Sequence, residues 1–385
     1  MPERGRVDIL FGLSYPNTRV QRTARALDAA GWNVRVLAWD REAQRPRHAR
    51  DGRIRVDHSR VRSHSGRGTT QLIYLLRALR SHGPAMRADP PDVLHVVDLP
   101  VLAGALAIWP LGGGRRLVYD AFELYALMQA ERYPRWLLRG VDLAERLLPR
   151  RADLVITPGA GRAAWFAERG IESVVVGNWI DAPERPPTHA AARRALGIPP
   201  ERFMILYAGD LETSRDVQAL IRHAERAPKD LVVIAGRGSQ AAAVERAANV
   251  LPNVRWDGWL DSTAVHHAAA DALYYALHPD HPYAAHPAPN NLYAAIAHGV
   301  PLIHRGQGEI GVLAREAEIG VAFDDDPSLD AAVDRLRDPS LRRHIRASLQ
   351  SLQDRYNERA TAATLVEAYE RLVPRLQIRA EKNRP

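Results

Sequence analysis

Near its C-terminus the chain reads Pro289-Asn290-Asn291-Leu292-Tyr293-Ala294-Ala295-Ile296-Ala297-His298-Gly299-Val300-Pro301-Leu302-Ile303, and this stretch decides the fold class. Its pattern predicts a loop, a short helix, a glycine stop and a buried strand. Asn290 or Asn291 can cap the helix, and Leu292 starts its apolar face. We expect Gly299 to end the helix, because Pro301 follows and prevents continuation. Free N–H groups and the positive dipole end make the start of such a helix a candidate anion site.

Strand and helix patterns alternate along the rest of the chain. Strands separated by helices indicate parallel sheets covered on both faces, so the fold class is α/β. A proline-rich segment at 181–188 interrupts the alternation and is typical of a linker. The sequence therefore predicts two Rossmann-like domains, 1–182 and 183–356, and a C-terminal segment, 357–385, whose helix begins near Glu358. Ligands of such sheets bind beyond the carboxyl ends of the strands.

Composition excludes several classes of function. The 385 residues include no cysteine, which rules out disulfides, zinc–thiolate sites and cysteine nucleophiles. No apolar run reaches the length of a membrane span, and the N-terminus has no signal-peptide core. We therefore expect a cytoplasmic protein, with membrane association on the cytoplasmic face left open. The net charge of +8 fits attraction to phosphate, but no nucleic-acid motif accompanies it, so no nucleic acid partner is expected.

Histidines are frequent in the second half of the chain, but they do not form a metal motif. His278, His281, His286 and His298 match no usual ligand spacing, and no acidic cluster accompanies them. The sequence therefore predicts no metal site. The histidines are expected to be imidazoles at the edge of a cleft.

Carboxylates follow two buried strand patterns of the first half. Asp98 comes directly after the run 93–97, and Asp120 and Glu123 come after the run 117–119. Neighbouring carboxylates can orient an acceptor hydroxyl or serve as a base. The alternative is structural: Asp98 and Asp120 can cap helices, and Glu123 can be a first-turn acid.

The segment 289–303 resembles the donor-binding segment of the family 4 glycosyltransferases, in which members often read P-N-K-L-x-E-x-x-A-x-G-x-P-V-I. The resemblance implies the GT-B fold, in which two Rossmann-like domains with parallel sheets face a central cleft. It also implies that the last helix crosses back to the N-terminal domain. The co-substrate would be a nucleotide-diphosphate sugar, with no cofactor and no metal.

The resemblance extends to the first half. Asp98 matches an Asp that many members carry in H-x-H-D, and Asp120 and Glu123 match two acids of Y-D-x-H-E. These three are the candidate catalytic residues. Phe122 stands where members have a His near the transferred sugar. The candidate acceptor and cleft residues are Tyr15 and Arg19, in a segment similar to Y-D-P-R-V-R-R, together with Phe122 and His286. A surface salt bridge is the alternative for Arg19.

The second half carries the candidate donor-binding residues. Arg215 matches the second base of a pair that clamps the donor diphosphate, whereas Asp210 replaces the first. The ribose-binding Glu of the family falls at Ala294, and its partner falls at His286. The residues expected to hold the donor are Arg215, Gly209, Gly236, Gly238, Asn290, Asn291 and Leu292. Tight strand–helix packing is the alternative for Gly236 and Gly238.

Two hypotheses of function follow. The first is a retaining glycosyltransferase that moves a sugar from a nucleotide-diphosphate donor to an acceptor hydroxyl. The acceptor is unknown and could be a glycan, a lipid-linked sugar or a small natural product, with peripheral membrane contact left open. The second is a non-catalytic glycosyltransferase-like activator or scaffold, which Phe122, Asp210 and Ala294 favour. Sugar epimerisation or phosphorolysis on the same fold is a weaker third hypothesis.

Overall fold

The computed structural model describes residues 4–63, 69–109, 115–130 and 133–372. The chain divides into two compact units. Unit 1 comprises Met1–Gly177 and Thr361–Pro385, and unit 2 comprises Asn178–Ala360. The sequence places the boundary at 182/183, whereas the structure divides the chain after Gly177. The part of the predicted C-terminal segment after Leu372 lies outside the described residues.

Unit 1 is built on an eight-stranded sheet in the order β3-β4-β2-β1-β5-β6-β7-β8. Its strands are β1 Arg6–Phe11, β2 Asn33–Trp39, β3 His48–Asp51, β4 Ile54–Ser59, β5 Val93–Val97, β6 Arg116–Asp120, β7 Leu154–Thr157 and β8 Val174–Val175. Its helices are α1 Thr18–Ala29, α2 Thr69–Ser81, α3 Gly83–Ala88, α4 Leu99–Ile108, α5 Tyr125–Met128, α6 Arg135–Leu147 and α7 Ala160–Ala167. All pairings are parallel except that of β3 with β4.

Unit 2 is built on a six-stranded parallel sheet in the order β11-β10-β9-β12-β13-β14. Its strands are β9 Phe203–Ala208, β10 Asp230–Ala235, β11 Val254–Gly258, β12 Ala272–Tyr275, β13 Leu302–His304 and β14 Gly320–Ala322. Its helices are α8 His189–Leu196, α9 Val217–Arg226, α10 Ala241–Val250, α11 Ala264–Ala269, α12 Asn290–His298, α13 Gly308–Glu316, α14 Asp326–Leu336 and α15 Pro339–Ser351, and α16 Glu358–Leu372 follows. Short 3-10 helices occupy Leu148–Arg151 and Pro282–Ala285.

Burial explains why these segments form sheets. All five residues of β5 are buried, and so are five of the six residues of β1, because helices cover both faces of the sheet. The core of unit 1 also takes in Leu365 and Tyr369 of α16, so the C-terminal helix completes a core that begins at β1. Within the described residues, no helix combines the length and the hydropathy needed to cross a bilayer.

The segment that decided the fold class folds as a helix and a strand, with one correction. The predicted cap by Asn290 or Asn291 is wrong, because the N-cap is Pro289, in an extended conformation, and the helix begins at Asn290 itself. Gly299 ends α12 with a left-handed φ of 64°, as predicted. Leu292 is fully buried, so the predicted apolar face is confirmed.

In both sheets the strand order reverses next to the first strand of the unit, between β1 and β5 and between β9 and β12. Such switch points open a crevice at the carboxyl ends of the strands, where open α/β sheets bind ligands. The candidate residues that follow β5, β6, β9 and β10, and those in the first turn of α12, lie at these edges.

Candidate active site

Asp98 is the most strained polar residue at the edge of unit 1. It follows β5 with φ of 73° and ψ of 151°, a conformation that residues other than glycine rarely adopt. The Tyr125 side chain hydrogen-bonds to its carboxylate, whereas Oδ1 is buried without a hydrogen-bond partner among the described residues. Asp98 is the N-cap residue of α4, but its side chain makes no capping hydrogen bond. Capping therefore does not explain this carboxylate.

The environment of Asp98 favours the neutral acid. Burial raises the pKa of Asp98 to about 8, and the neighbouring charges of Glu123 and Asp120 act in the same direction. The carboxyl is therefore mostly protonated at neutral pH. Buried carboxyl groups with strongly raised pKa values occur often at catalytic sites.

Asp120 and Arg19, which the sequence separates by about a hundred residues, form a buried bidentate ion pair. Arg19 donates from Nε to Oδ2 at 2.8 Å and from Nη2 to Oδ1 at 2.6 Å, and its Nη1 donates to the Val176 carbonyl at 2.9 Å. Burial alone would raise the pKa of Asp120, but Arg19 and His95 outweigh it and hold this pKa at about 2. Asp120 is thus ionised and paired, which suits positioning better than proton transfer.

Phe122 and Glu123 follow in the same loop and are held by Arg162. Arg162 donates from Nη2 to the Glu123 carboxylate at 3.1 Å and from Nη1 to the Phe122 carbonyl. The Phe122 ring lies 5.5 Å from the guanidinium carbon of Arg19, within range of a cation–π contact. The ring that replaces the family's His therefore packs on the Arg19–Asp120 pair.

Glu145 is a residue of this edge that sequence reasoning missed. It lies fully buried on α6 and accepts from the backbone N–H groups of Tyr125 at 2.7 Å and Ala126 at 3.2 Å. It thus holds the first turn of α5, which carries Tyr125. Burial raises the pKa of Glu145 to about 7. The signal in the sequence is an acid at a position that an amphipathic helix turns toward the core.

Tyr15, the remaining candidate of unit 1, anchors the chain ahead of α1. Its hydroxyl donates to Asp51 at 2.5 Å, and burial raises the pKa of Tyr15 above its usual value. Gln21 of α1 donates to the same carboxylate at 2.9 Å. These contacts tie α1 to β3, while the acceptor role of Tyr15 stays a prediction.

Arg215 occupies the loop after β9 in unit 2. Its Nη1 donates to the Tyr275 hydroxyl, and its guanidinium carbon lies 5.3 Å from the centre of that ring. The neighbouring Asp216 accepts from the Ala219 N–H at 3.3 Å as the N-cap of α9 and pairs with Arg305 at 2.7 Å. Asp210 is exposed, so water screens its charge.

The glycines at the ends of β9 and β10 allow two loops to touch. A Cβ at Gly236 would lie 1.9 Å from the Gly209 carbonyl oxygen, and one at Gly238 would lie 2.7 Å from the backbone of Leu211. The Gly209 N–H donates to the Ala235 carbonyl at 2.9 Å, which closes the contact. Backbone packing alone therefore requires Gly236 and Gly238, whether or not a nucleotide lies beside them.

The start of α12 is tied to the same edge. Asn291 donates from Nδ2 to the Ala208 carbonyl at 3.0 Å, while Asn290 is exposed. Ala294 is buried one turn later. Of the two imidazoles near it in sequence, His298 stacks on His267 at 4.5 Å, and His286 is half-buried after the 3-10 helix. Among the described residues, no group of three acids or histidines is placed to hold a metal ion.

Comparison with known proteins agrees with this geometry. Residues 16–179 match the model of the glycosyl transferase 4-like domain. Over this range the chain is similar to that family's domain. The predicted family resemblance is thereby confirmed, while the effect of its departures on chemistry stays a prediction. A search of the curated proteins finds no match to the chain.

Solved structures show the fold. Sucrose-phosphate synthase from Thermosynechococcus elongatus matches with a TM-score of 0.80 at 17% identity over 95% of this chain and 99% of that one. HepE of Anabaena, solved with UDP and glucose, matches with a TM-score of 0.68 at 15% identity over 94% and 99%. A UDP-N-acetylglucosamine 2-epimerase-like protein from Listeria monocytogenes matches with a TM-score of 0.61 at 15% identity over 100% and 99%. The fold is therefore GT-B, with two parallel-sheet domains, as predicted.

Proposed function

We propose that the protein transfers a sugar from a nucleotide-diphosphate donor to an acceptor hydroxyl, with retention of configuration at the sugar. The observation that carries the proposal is Asp98, a half-buried residue in a strained backbone conformation whose Oδ1 is buried, at the switch point of a glycosyl transferase 4-like domain. A purely structural residue would gain nothing from an unpaired carboxylate oxygen at that depth. The presence of UDP and glucose in the HepE structure supports the choice of donor class.

In this proposal unit 2 binds the donor. Arg215 supplies positive charge to the diphosphate, and the N-terminus of α12 supplies backbone N–H groups. Charge develops on the leaving diphosphate as the sugar departs, so donors fixed at this position lower the barrier. The nucleotide sugar is a co-substrate, and the proposal needs no other cofactor.

In unit 1 the proposed acceptor site centres on Asp98, with Glu123 beside it. A neutral Asp98 can donate a hydrogen bond to the sugar or the acceptor, and an ionised one can accept the hydroxyl proton. Arg19 and Asp120 neutralise each other, so we assign them the positioning of the loop that carries Phe122 and Glu123. The acceptor is a glycan, a lipid-linked sugar or a small natural product.

A non-catalytic role remains the second candidate, and two observations favour it. Ala294 offers no carboxylate to a ribose, and Phe122 offers no imidazole to a sugar. Charge-assisted hydrogen bonds contribute about 1.5–3 kcal/mol each, so loss of the ribose carboxylate weakens donor binding. A scaffold with the GT-B fold would tolerate both replacements.

The test is a panel of nucleoside diphosphates and nucleotide sugars, read first by thermal shift and then by release of nucleoside diphosphate. Ligand binding to the folded state raises the melting temperature, so binding is detected even without turnover. We expect one base to be preferred and turnover to fall at least about a hundredfold in Asp98→Asn, the loss typical of a general acid or base. Binding without turnover for every donor and acceptor would favour the scaffold.

Arg215→Ala separates donor binding from acceptor chemistry. We expect it to cost about 2–4 kcal/mol of transition-state stabilisation, the scale of losing one preorganised donor to a developing charge. The control is Arg222→Ala on α9, because the Arg222 side chain is 47% exposed and pairs with Asp326. Unchanged turnover in Arg215→Ala, measured with the preferred donor, would remove Arg215 from the site.

A further inference from the structure

One face of α6 exposes a stripe of large apolar side chains. Trp136, Leu143 and Leu147 are 72%, 56% and 50% exposed. Their spacing of seven and four residues brings them onto one side of a helix with 3.6 residues per turn, with Gly140 between them. The opposite side of the helix carries the buried Glu145. Single exposed apolar residues need no explanation, but a continuous stripe marks an interaction site.

A basic stripe runs beside the apolar one. Arg135, Arg139 and Arg146 are exposed and lie about a quarter-turn around the helix from Trp136. The exposed Arg150 and Arg151 end the short 3-10 helix, Leu148–Arg151, that follows α6. On α6, Asp142 is the one acid outside the core, and it pairs with Arg146 at 2.8 Å. The surface therefore joins an apolar stripe to an excess of positive charge.

We propose that this face of α6 docks onto the surface of a bilayer that contains anionic lipids, with the helix lying in the plane of the interface. Trp136, Leu143 and Leu147 would enter the boundary between head groups and acyl chains. The arginines would reach the lipid phosphates, because long basic side chains keep their charge in water while their stems stay at the interface. Each basic residue near an anionic surface strengthens such binding.

Other partners fit this surface less well. A symmetric contact with a second copy would bring the same arginines together, and Asp142, which already pairs with Arg146, is the one acid outside the core of the helix that could offset them. A nucleic acid would pair with the arginines but leave the apolar stripe in water. A membrane interface buries the apolar stripe and places lipid phosphates beside the basic one. Docking stands apart from the proposed function, because it is measured without any transfer of sugar.

The experiment is co-sedimentation of the full chain with vesicles of phosphatidylcholine, with and without phosphatidylglycerol. We expect binding to the mixed vesicles only, weakened by added salt, since screening reduces attraction between charged surfaces. Leu143→Ser/Leu147→Ser should bind at least about tenfold more weakly, because two half-exposed apolar groups no longer leave water on docking. Arg135→Gln/Arg139→Gln should reduce the preference for anionic lipid while keeping the apolar stripe.

Val250→Ser is the matched control, because Val250 is 78% exposed on α10 of unit 2. It should bind like the native chain, and circular dichroism verifies that all variants are folded. Equal binding by the native chain and the double leucine variant would overturn the proposal, as would absence of binding to anionic vesicles. A dimer in solution that the leucine variant converts to a monomer would also overturn it and assign the face to a second copy.

Discussion

Asp98 combines backbone strain with a carboxyl group whose ionisation is unfavourable. A residue other than glycine in such a conformation costs about 1–3 kcal/mol, and the surrounding structure must stabilise it. Tyr125 contacts the carboxylate, and Glu145 fixes the backbone of Tyr125. Strain supported in this way is typical of a residue kept for chemistry. The neutral form that burial favours makes the role of Asp98 dependent on pH.

The raised pKa of Asp98 predicts a specific pH dependence of stability. The folded state holds the proton up to about pH 8, whereas the unfolded chain releases it near the usual value of 3.8. Its contribution to stability is thus complete below about pH 4 and is lost as the pH rises to about 8, with a slope of up to about 1.4 kcal/mol per pH unit. Asp98→Asn, which tolerates positive φ, should flatten this decline.

Urea unfolding at pH 5, 6, 7 and 8 measures the effect. The groups around the carboxylate (Glu123, Asp120, Arg19 and Tyr125) are the same in both proteins, so the difference between them reports Asp98. Asp280→Asn is the control, because Asp280 is 92% exposed. Parallel stability curves for the native chain and Asp98→Asn would show that Asp98 ionises normally.

The Arg19–Asp120 pair predicts a large loss on breaking one side. Arg19→Met should destabilise the chain by about 3–5 kcal/mol, because Asp120 would remain as a buried charge without its partner. Since the pKa of Asp120 is lowered to about 2, the pair's stabilisation is present above about pH 4 and is lost as the pH falls through 2. Denaturant unfolding near pH 7 gives the size of the loss.

Two further variants make this prediction decisive. Arg19→Met/Asp120→Asn should recover part of the loss, because it removes the uncompensated charge. Arg25→Met breaks the exposed pair with Asp51, in which Arg25 is 59% exposed, and should cost less than about 1 kcal/mol. Equal losses in Arg19→Met and Arg25→Met would contradict a special role for the buried pair.

At the scale of elements, the donor edge depends on two loops that lie too close together for any side chain. Gly236→Ala would place a Cβ against the Gly209 carbonyl, so the loops after β9 and β10 must separate. We expect a loss of about 1–3 kcal/mol in stability, as for overpacking elsewhere, and weaker binding of nucleoside diphosphate. Thermal unfolding with and without ligand measures both effects.

Gly140→Ala is the matched control for this substitution. Gly140 lies in α6, and an added Cβ there meets nothing within 4 Å. Alanine is the better helix former by about 1 kcal/mol, so this variant should be as stable as the native chain or more so. Equal unfolding temperatures for Gly236→Ala and Gly140→Ala would contradict this prediction. They would show that the loops after β9 and β10 can separate at little cost in stability.

How far the sequence predicts these elements depends on whether the signal is local. The end of α12 was predicted because a left-handed glycine followed by a strand start is visible in five residues. The sequence does not predict β3, His48–Asp51, because three of its four residues are polar, none is buried, and its antiparallel pairing depends on β4. Glu145 and the Arg19–Asp120 pair were missed because their partners lie 19 to 101 residues away, where no spacing rule applies.

At the scale of the whole molecule, unit 1 is assembled from both ends of the chain. Its sheet comes from the first 177 residues, and its last core residues come from α16, after the chain has passed through unit 2. Tyr369 of α16 contacts Trp32 edge-on at 5.7 Å and bonds through its hydroxyl to His95 Nδ1 at 2.6 Å. Bringing together residues this far apart in sequence costs loop-closure entropy. Burial of the α16 side chains in unit 1 must offset that cost.

Tyr369 therefore predicts how strongly the C-terminal helix stabilises unit 1. Tyr369→Ala should lower the free energy of unfolding by about 3–5 kcal/mol, the range for removing a large buried side chain. This loss is expected even though Tyr369 is not part of the sheet. Tyr369→Phe keeps the ring but leaves His95 Nδ1 without its partner, and should cost about 1–3 kcal/mol. Glu367→Ala, on the exposed face of the same helix, should stay within about 0.5 kcal/mol of the native chain.

Urea unfolding ranks the three variants, and limited proteolysis should cut unit 1 first in Tyr369→Ala. If Tyr369→Ala and Glu367→Ala unfolded at the same urea concentration, α16 would contribute little to the core that it enters.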